Sequence, residues 1–335
     1  MQKIQLGGIK ILDGQSRIES SCDRAENGLA RICRQLGAER MNLSLLIHMA
    51  DDGKGKAATT LCTESCCGFT GYYLAKLDTA SVVDVLHNVG ILSTFPHDRR
   101  PRLTGALLEL LARERIHPIG MASSPSAMSV LTPAADMKRV IDGLFETFEL
   151  PDCRSPLEWH AAYLGKEQMF RDVVGSYEEQ AIKVYAILDQ PGLDLWTFRL
   201  NSMWMGHMGT ALKEMDGLGV KMPFFVAHWY QDRGLIATLC FAASHREDVR
   251  RVIDERLPYA ASSHQDAAAV FLHGPHFGDR HGIANELTTS LQEAAIKPLA
   301  LSCAVHSISV VLKSDNLRPG VHAISTRFHV PGAKS

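Results

Sequence analysis

The chain is written twice. Leu92–Leu131 lies on Leu272–Val311 without a gap, at an offset of 180 residues. Within that stretch Arg100 meets Arg280, Leu107 meets Leu287, Leu111 meets Leu291, Ile116 meets Ile296, Pro118 meets Pro298 and Ser129-Val130 meets Ser309-Val310. Upstream, Ile47-His48 falls on Ala227-His228, and Thr60-Leu61-Cys62 falls on Thr238-Leu239-Cys240 after a two-residue slip. The identities are few, but they sit where a helix-plus-strand unit needs its core. An internal repeat restricts the architecture more than any local propensity does. It also suits a function that uses symmetry, such as an effector site between copies.

At 335 residues the chain is long for one core and predicts two or more domains. A hydrophobic share of 46% beside 21% charged residues describes a globular chain and not a disordered one. A net charge of −2 gives no electrostatic reason to expect nucleic acid or a membrane as partner. The basic run Arg99-Arg100-Pro101-Arg102 is too short to track phosphates. No stretch approaches the roughly 18 apolar residues of a membrane span, and Met1–Ile4 opens no signal-peptide run. Eight cysteines without a regular framework predict reduced thiols in a cytoplasm.

Apolar spacing organises the chain into two halves, 1–150 and 181–332, joined by a segment 151–180. Each half holds two units, near 14–80 and 88–150, then near 182–258 and 268–331. In the second unit Val89–Leu92 reads as a strand. Leu103, Leu107, Leu110 and Leu111 then recur on one helical face. Strands follow at Ile116–Ile119 and Ser126–Leu131, and a helix carries Met137, Val140, Ile141, Leu144 and Phe145 on one side. The fourth unit repeats this order, with Pro319 early in its last helix, where a missing N–H is tolerated. In the third unit Asp194–Leu200 alternates as a strand, and Ser244 with Glu247 fits a capping box. In the first, Gly28–Leu36 reads as a helix and Leu43–His48 and Ala57–Cys62 as strands. Ser155–Tyr177 has helical spacing and predicts a connector.

The turn of the fourth unit is more specific. His273-Gly274-Pro275-His276-Phe277-Gly278-Asp279-Arg280-His281-Gly282-Ile283-Ala284 resembles the first strand, turn and helix start of the ACT regulatory domains of aspartate kinases. Ala294-Ala295-Ile296 is similar to that family's Ala-Gly-Ile-Asn helix end, and Ala304–Val311 to its Asn-Ile-Ser-Val-Val strand. Ile182–Ile187 before Leu195–Phe198 resembles a leading strand feeding the next unit. The resemblance covers most of 1–150 and 180–332. The family's strand asparagine is Ala127 in one copy and Ser307 in the other, and its Asp-x-Pro-Gly turn is replaced at Cys22–Gly28 and Met203–Met208. These departures weigh against the familiar lysine or threonine specificity. The kinase's Lys-Phe-Gly-Gly-Thr phosphate loop has only Gln5–Ile9 as an echo, so the resemblance is to the regulatory region without the kinase.

The resemblance implies an α+β fold of tandem ferredoxin-like βαββαβ units, antiparallel sheets with helices on one face. The duplication further suggests that the halves associate side by side, unit one beside unit three and unit two beside unit four. Sheet edges buried in this way gain a physical advantage. A free amino acid needs donors for its carboxylate and acceptors for its ammonium, and helix N-termini supply the former. In the fourth unit His276, Asp279, Arg280, His281, Gly282 and Ile283 lie at that position, with Asp279 available to an ammonium and Gly282 allowing close approach. Ser302 and His306 flank the facing strand in the family's layout. In the second unit the equivalents are Asp98, Arg100 and Arg102, with Ser124 and Ser126 opposite.

Expected, then, is a non-catalytic sensor of an amino acid or similar small zwitterion. It acts on an enzyme partner and is either a monomer with pseudo-two-fold symmetry or a homodimer, with no cofactor and no metal. Alternatives stay open. His273, His276 and His281 are potential imidazole ligands, although a metal site needs convergence. Cys62, Cys66 and Cys67 are candidate thiols, although Cys62 has a repeat partner in Cys240 and reads as core. Met203, Met205 and Met208 beside Trp204 and His207 suit a soft apolar pocket or a core. A metal- or thiol-dependent enzyme and a pure interaction scaffold remain the competing readings.

Overall fold

Strand-forming runs of Val, Ile, Leu and Thr and amphipathic helices alternate along the chain. The computed structural model describes residues 3–23, 27–50, 56–64, 82–150, 155–156, 158, 184–274, 281–305 and 307–328. The first half contributes β1 Ile4–Gln5, β2 Gly8–Asp23, α1 Gly28–Ala38, β3 Leu45–Met49, β4 Lys56–Glu64, β5 Val82–Phe95, α2 Pro101–Arg113, β6 Gly120–Ser123, β7 Met128–Pro133, α3 Ala134–Thr147 and β8 Phe148–Glu149. The second contributes β9 Ala186–Leu200, α4 Trp204–Gly217, β10 Phe224–Tyr230, β11 Gly234–Ala242, α5 Arg246–Arg256, β12 Ala261–His273, α6 Ile283–Glu293, β13 Ala300–Ala304, β14 Ser307–Lys313 and α7 Leu317–Ser325.

Both halves close into a single barrel, in the order β10-β11-β9-β12-β14-β13-β3-β4-β2-β5-β7-β6 and back to β10. Neighbouring strands in it are antiparallel, while β1 and β8 form a separate parallel pair. Closure removes the exposed edges of an open sheet. The interior is apolar, with Leu45, Ile47, Phe224, Val226 and Phe271 among its buried residues. The outer face carries helices. Leucines of α2 and methionines of α4 share one cluster, and residues of α1, α6 and α7 share another. Among the described residues no helix is long and apolar enough to cross a membrane.

The order of the halves differs from the expected one. The seams are β3 with β13 and β6 with β10, so unit one lies beside unit four and unit two beside unit three. Side-chain volume explains the choice. On the interior face Leu45, Ile47 and Met49 of β3 sit opposite Ala304, Ser302 and Ala300 of β13. Likewise Val226 and His228 of β10 sit opposite Ala122 and Gly120 of β6. Large therefore packs on small at both seams, whereas pairing like edges sets large against large and leaves a void at the other seam. A Cβ added at Gly120 would lie 2.8 Å from Ile47 Cδ1, so a larger residue there would displace the end of that side chain. Helices follow the strands: α1 packs on α6, and α2 crosses α4 where Gly105 and Gly209 touch. A Cβ on either glycine would come within 2.5 Å of the other's carbonyl oxygen.

The repeat offset also needs correction. Ile47 faces the interior, but Ala227 faces the helices, and the place of Ile47 is taken by Val226. A one-residue slip turns a strand's side chains to the other face, so the structural counterpart of His228 is Met49 and not His48. Cys62 and Cys240 do occupy matching interior positions, opposite Leu45 and Phe224.

Each half has one bulge at an equivalent position. Gly14 (φ +64°) and Gly192 (φ +68°) lie where β2 and β9 lose register with β5 and β12. Left-handed backbone at a bulge favours glycine, and the missing N–H of Pro191 is harmless there. Gln190-Pro191-Gly192 therefore kinks one long strand, which the sequence divided into two. Ser244 is not an N-cap: it lies in the 3-10 turn Ala243–His245, and α5 starts at Arg246 without a side-chain cap. The second and third strands of the second unit begin at Gly120 and Met128, a few residues beyond the expected starts. Met205 and Met208 are core, whereas Met203 is 78% exposed. Most of the expected connector Ser155–Tyr177 lies outside the described residues, as do Cys66 and Cys67.

Candidate functional site at the junction of the halves

The turn before α2 is shaped by its own backbone. Asp98 (φ +50°) and Arg99 (φ +56°) both take left-handed conformations, which cost energy in residues other than glycine. Arg100 precedes Pro101, which starts the helix, and no side chain caps the first-turn N–H groups. His97 ties the turn to the β6–β7 loop, its N–H donating to Ser126 O at 3.0 Å. Its ring is buried, with Nε2 3.3 Å from Thr104 Oγ1 and Nδ1 without a partner among the described residues. Burial lowers this histidine to about 4, outweighing the opposing pull of the Ser124 backbone and the Asp98 carboxylate. The turn that carries Asp98, Arg100 and Arg102 is thus tied through His97 to the loop that carries Ser124 and Ser126. The Ser124 hydroxyl, however, accepts the Ala127 N–H at 3.0 Å and so closes its own loop.

This turn reaches into the second half. The Met222 N–H donates to Arg99 O at 2.9 Å, and the Phe225 N–H donates to Ser123 Oγ at 2.7 Å. Arg99 Nη1 donates to Gln190 Oε1 at 3.2 Å beside the β9 bulge. Its guanidinium lies over the Phe271 ring, 4.9 Å from the centroid. Arg99 also lies close enough to His273 to help hold that imidazole below its ordinary range, after burial. His273 stands at the root of the fourth unit's turn, with Nδ1 3.0 Å from Ser307 Oγ.

At the fourth unit, Gly282 (φ +86°) precedes α6, which again lacks a side-chain cap. Space around its Cα is open, so its glycine is required by conformation and not by a neighbour's approach. Ile283 is buried in the helix layer and offers a ligand only its backbone. His281 is half-buried beside it. The Ser302 hydroxyl donates to Ser123 O at 2.9 Å inside the barrel and joins the halves. His276, Asp279, Arg280 and His306 lie outside the described residues. Val305 takes φ +59° in the loop between β13 and β14, a costly conformation for a β-branched residue.

The two halves therefore meet through Arg99 and through Ser123 with Ser302. His97, Arg99, Gln190 and Phe271 were absent from the candidates. The arginine run was visible in the sequence, but its partners lie on β9 and β12, far along the chain. Four of the described cysteines offer little chemistry. Cys33, Cys62, Cys240 and Cys303 are buried, and burial pushes each thiol up, Cys33 and Cys303 to about 12, which keeps the nucleophilic thiolate from forming. Among the described residues no three His, Cys, Asp or Glu side chains converge as metal ligands.

These features define an α+β protein in which two copies of a strand-and-helix repeat close one barrel. The fold is similar to that of an aspartate kinase from Synechocystis, with a TM-score of 0.79 at 13% identity over 98% of this chain. The chain spans 57% of that kinase's length. Shorter likenesses include the ligand-free regulatory subunit of aspartate kinase from Thermus thermophilus (TM-score 0.39, 8% identity, 44% of this chain and 99% of that one). Another is E. coli aspartokinase III in complex with lysine and aspartate (TM-score 0.35, 17% identity, 44% and 34%). No family model matches the sequence, and no curated protein matches it.

Proposed function

We propose that the chain is a non-catalytic regulatory module that binds an amino acid or similar small zwitterion at the junction of its halves. Its four units are ACT-like, near 14–80, 88–150, 182–258 and 268–331, and a single chain supplies both members of each pair. The observation that carries the reading is the reach of the second unit's turn across the junction, where Arg99 crosses to Gln190 and Phe271. The uncapped start of α2 suits a carboxylate, and Asp98 in the turn before it suits an ammonium. Because the turn residues touch both halves, ligand contacts there favour one relative placement over another, and an equilibrium shifts only through such differential affinity. The partner is an enzyme whose activity follows that placement. The kinase likeness supports the scaffold alone, since fold does not fix function.

Titration calorimetry against the common amino acids tests this, in the protein as purified and in Arg99→Gln. One amino acid is expected to bind, and the variant to bind it at least tenfold more weakly while keeping its unfolding midpoint within a few degrees. Equal affinity in both proteins would remove the junction from the site, and absence of heat with every amino acid would overturn the sensor reading.

A further inference from the structure

The turn before α2 holds more positive charge than its own surroundings answer. Arg99, Arg100 and Arg102 stand within one short run, with Asp98 as its one carboxylate. Several arginines elsewhere sit directly on carboxylates. Arg256 Nε lies 2.7 Å from Glu214 Oε2, Arg327 Nη1 2.7 Å from Glu286 Oε2 and Arg17 Nη1 2.8 Å from Glu19 Oε2. At this turn none does so among the described residues. Arg99 donates to the neutral amide of Gln190 and lies over Phe271. Asp189, beside Gln190 on β9, pairs with Val270 and so faces the opposite side of the sheet. Arg100 is exposed and Arg102 half-buried, and neither holds an ion pair among the described residues.

The helix that α2 crosses is built differently. At the start of α4, Asn201 Oδ1 accepts the N–H groups of Met203 at 3.1 Å and Trp204 at 3.3 Å, so that start is closed by its own chain. The start of α2 has no side-chain cap, and guanidinium groups flank it instead. Three of them against the Asp98 carboxylate leave the turn with an excess of two positive charges. A simple zwitterion adds one carboxylate and one ammonium and leaves that excess unchanged. A second anionic group on the ligand reduces it, whereas a cationic side chain adds to it. For partly exposed charges about 6 Å apart, each such change is worth about tenfold or more in affinity.

We infer that the ligand of this junction is an acidic amino acid, one whose side chain carries a second anionic group, carboxylate or phosphate, taken by Arg100 and Arg102. The inference rests on the reading of this junction as the ligand site. Asp98 takes the ammonium and the start of α2 the α-carboxylate. Guanidinium forks match the oxygens of a carboxylate or phosphate in pairs, which suits Arg100 and Arg102 to the side chain. Arg99, engaged with Gln190 and Phe271, stays with the junction itself.

Titration calorimetry compares glutamate, aspartate and O-phosphoserine with their uncharged counterparts glutamine, asparagine and serine, and with lysine and the other common amino acids. The unaltered chain, Arg100→Gln, Arg102→Gln and the double variant are each measured at low and at raised salt. An acidic ligand is expected to bind at least tenfold more tightly than its uncharged counterpart, with lysine weakest, and its advantage should shrink as salt rises. That advantage should fall about threefold or more in each single variant and vanish in the double one, while the uncharged counterpart binds nearly as before. Preference for the carboxylates or for O-phosphoserine tells which anion the guanidinium groups accept, and either supports the inference. Tightest binding of a neutral or basic amino acid, or an acidic preference that persists in the double variant, would overturn the inference and leave the junction reading standing. Absence of heat with every ligand would overturn both.

Discussion

Two buried histidines make the stability of this protein fall in mild acid. His48 lies on β3 with Nδ1 2.9 Å from Thr59 Oγ1, and His97 lies under the α2 turn. Burial lowers both from the ordinary 6.5 to about 4. The neutral ring is the form the fold accepts, whereas the unfolded chain takes up protons near 6.5. Stability is therefore complete above about pH 6.5, declines as pH falls through the window down to about 4, and is level below it. At about pH 5 the proton uptake of the unfolded chain removes about 2 kcal/mol for each histidine relative to pH 7.5. The pair thus costs about 4 kcal/mol, a large part of the 5–15 kcal/mol typical of a folded domain. Urea unfolding at constant ionic strength from about pH 7.5 to 5 should show this loss, and His48→Asn should lose about half as much. A flat profile, or imidazole proton resonances titrating near 6.5 in the folded protein, would refute the burial argument.

Three further outcomes follow from packing and charge. Gly105→Ala drives a methyl into the Gly209 carbonyl and should lower stability by about 1–3 kcal/mol in chemical denaturation, with recovery if the helix crossing were loose. Ala122→Leu sets large against large opposite Val226 at the β6–β10 seam and should cost a similar amount, about 1–3 kcal/mol, while the same change at an exposed helix position costs little. Glu19 is held below the ordinary carboxylate range despite a burial cost that acts the other way, with the His228 contact and the Arg17 and Arg233 charges prevailing. Its folded value is depressed, so its stabilisation is present above the ordinary carboxylate range and lost as pH falls through it; the acid limb of the unfolding profile should shrink in Glu19→Gln.

Much of the local structure was legible because it rests on short-range pattern. The leucines of α2 and the face of α3 with Met137, Val140, Ile141 and Leu144 stand where periodicity puts them. Cys62 and Cys240 pointed to matching strands. What escaped was set between distant segments. Nothing near Ile47 announces that Ser302 lies across from it, so the choice of seam depended on comparing the volumes of four edge strands together. The bulges at Gly14 and Gly192 resemble turns in a linear reading, and the single residue that separates an inward His228 from an outward His48 shows only in the strand registers. In the site, the arginine run was legible, and Arg99 is the member of it that crosses the junction to Gln190 and Phe271, partners that lie far along the chain.

The most direct test of the regulatory reading is the thermal unfolding midpoint of the intact chain against a panel of single amino acids. A ligand present at about 100 times its dissociation constant adds about 2.7 kcal/mol, which raises the midpoint by a few degrees for a protein of this size. One amino acid should raise it, and the same amino acid should do so far less in Arg99→Gln. A panel in which every midpoint coincides with that of the free protein would contradict the account.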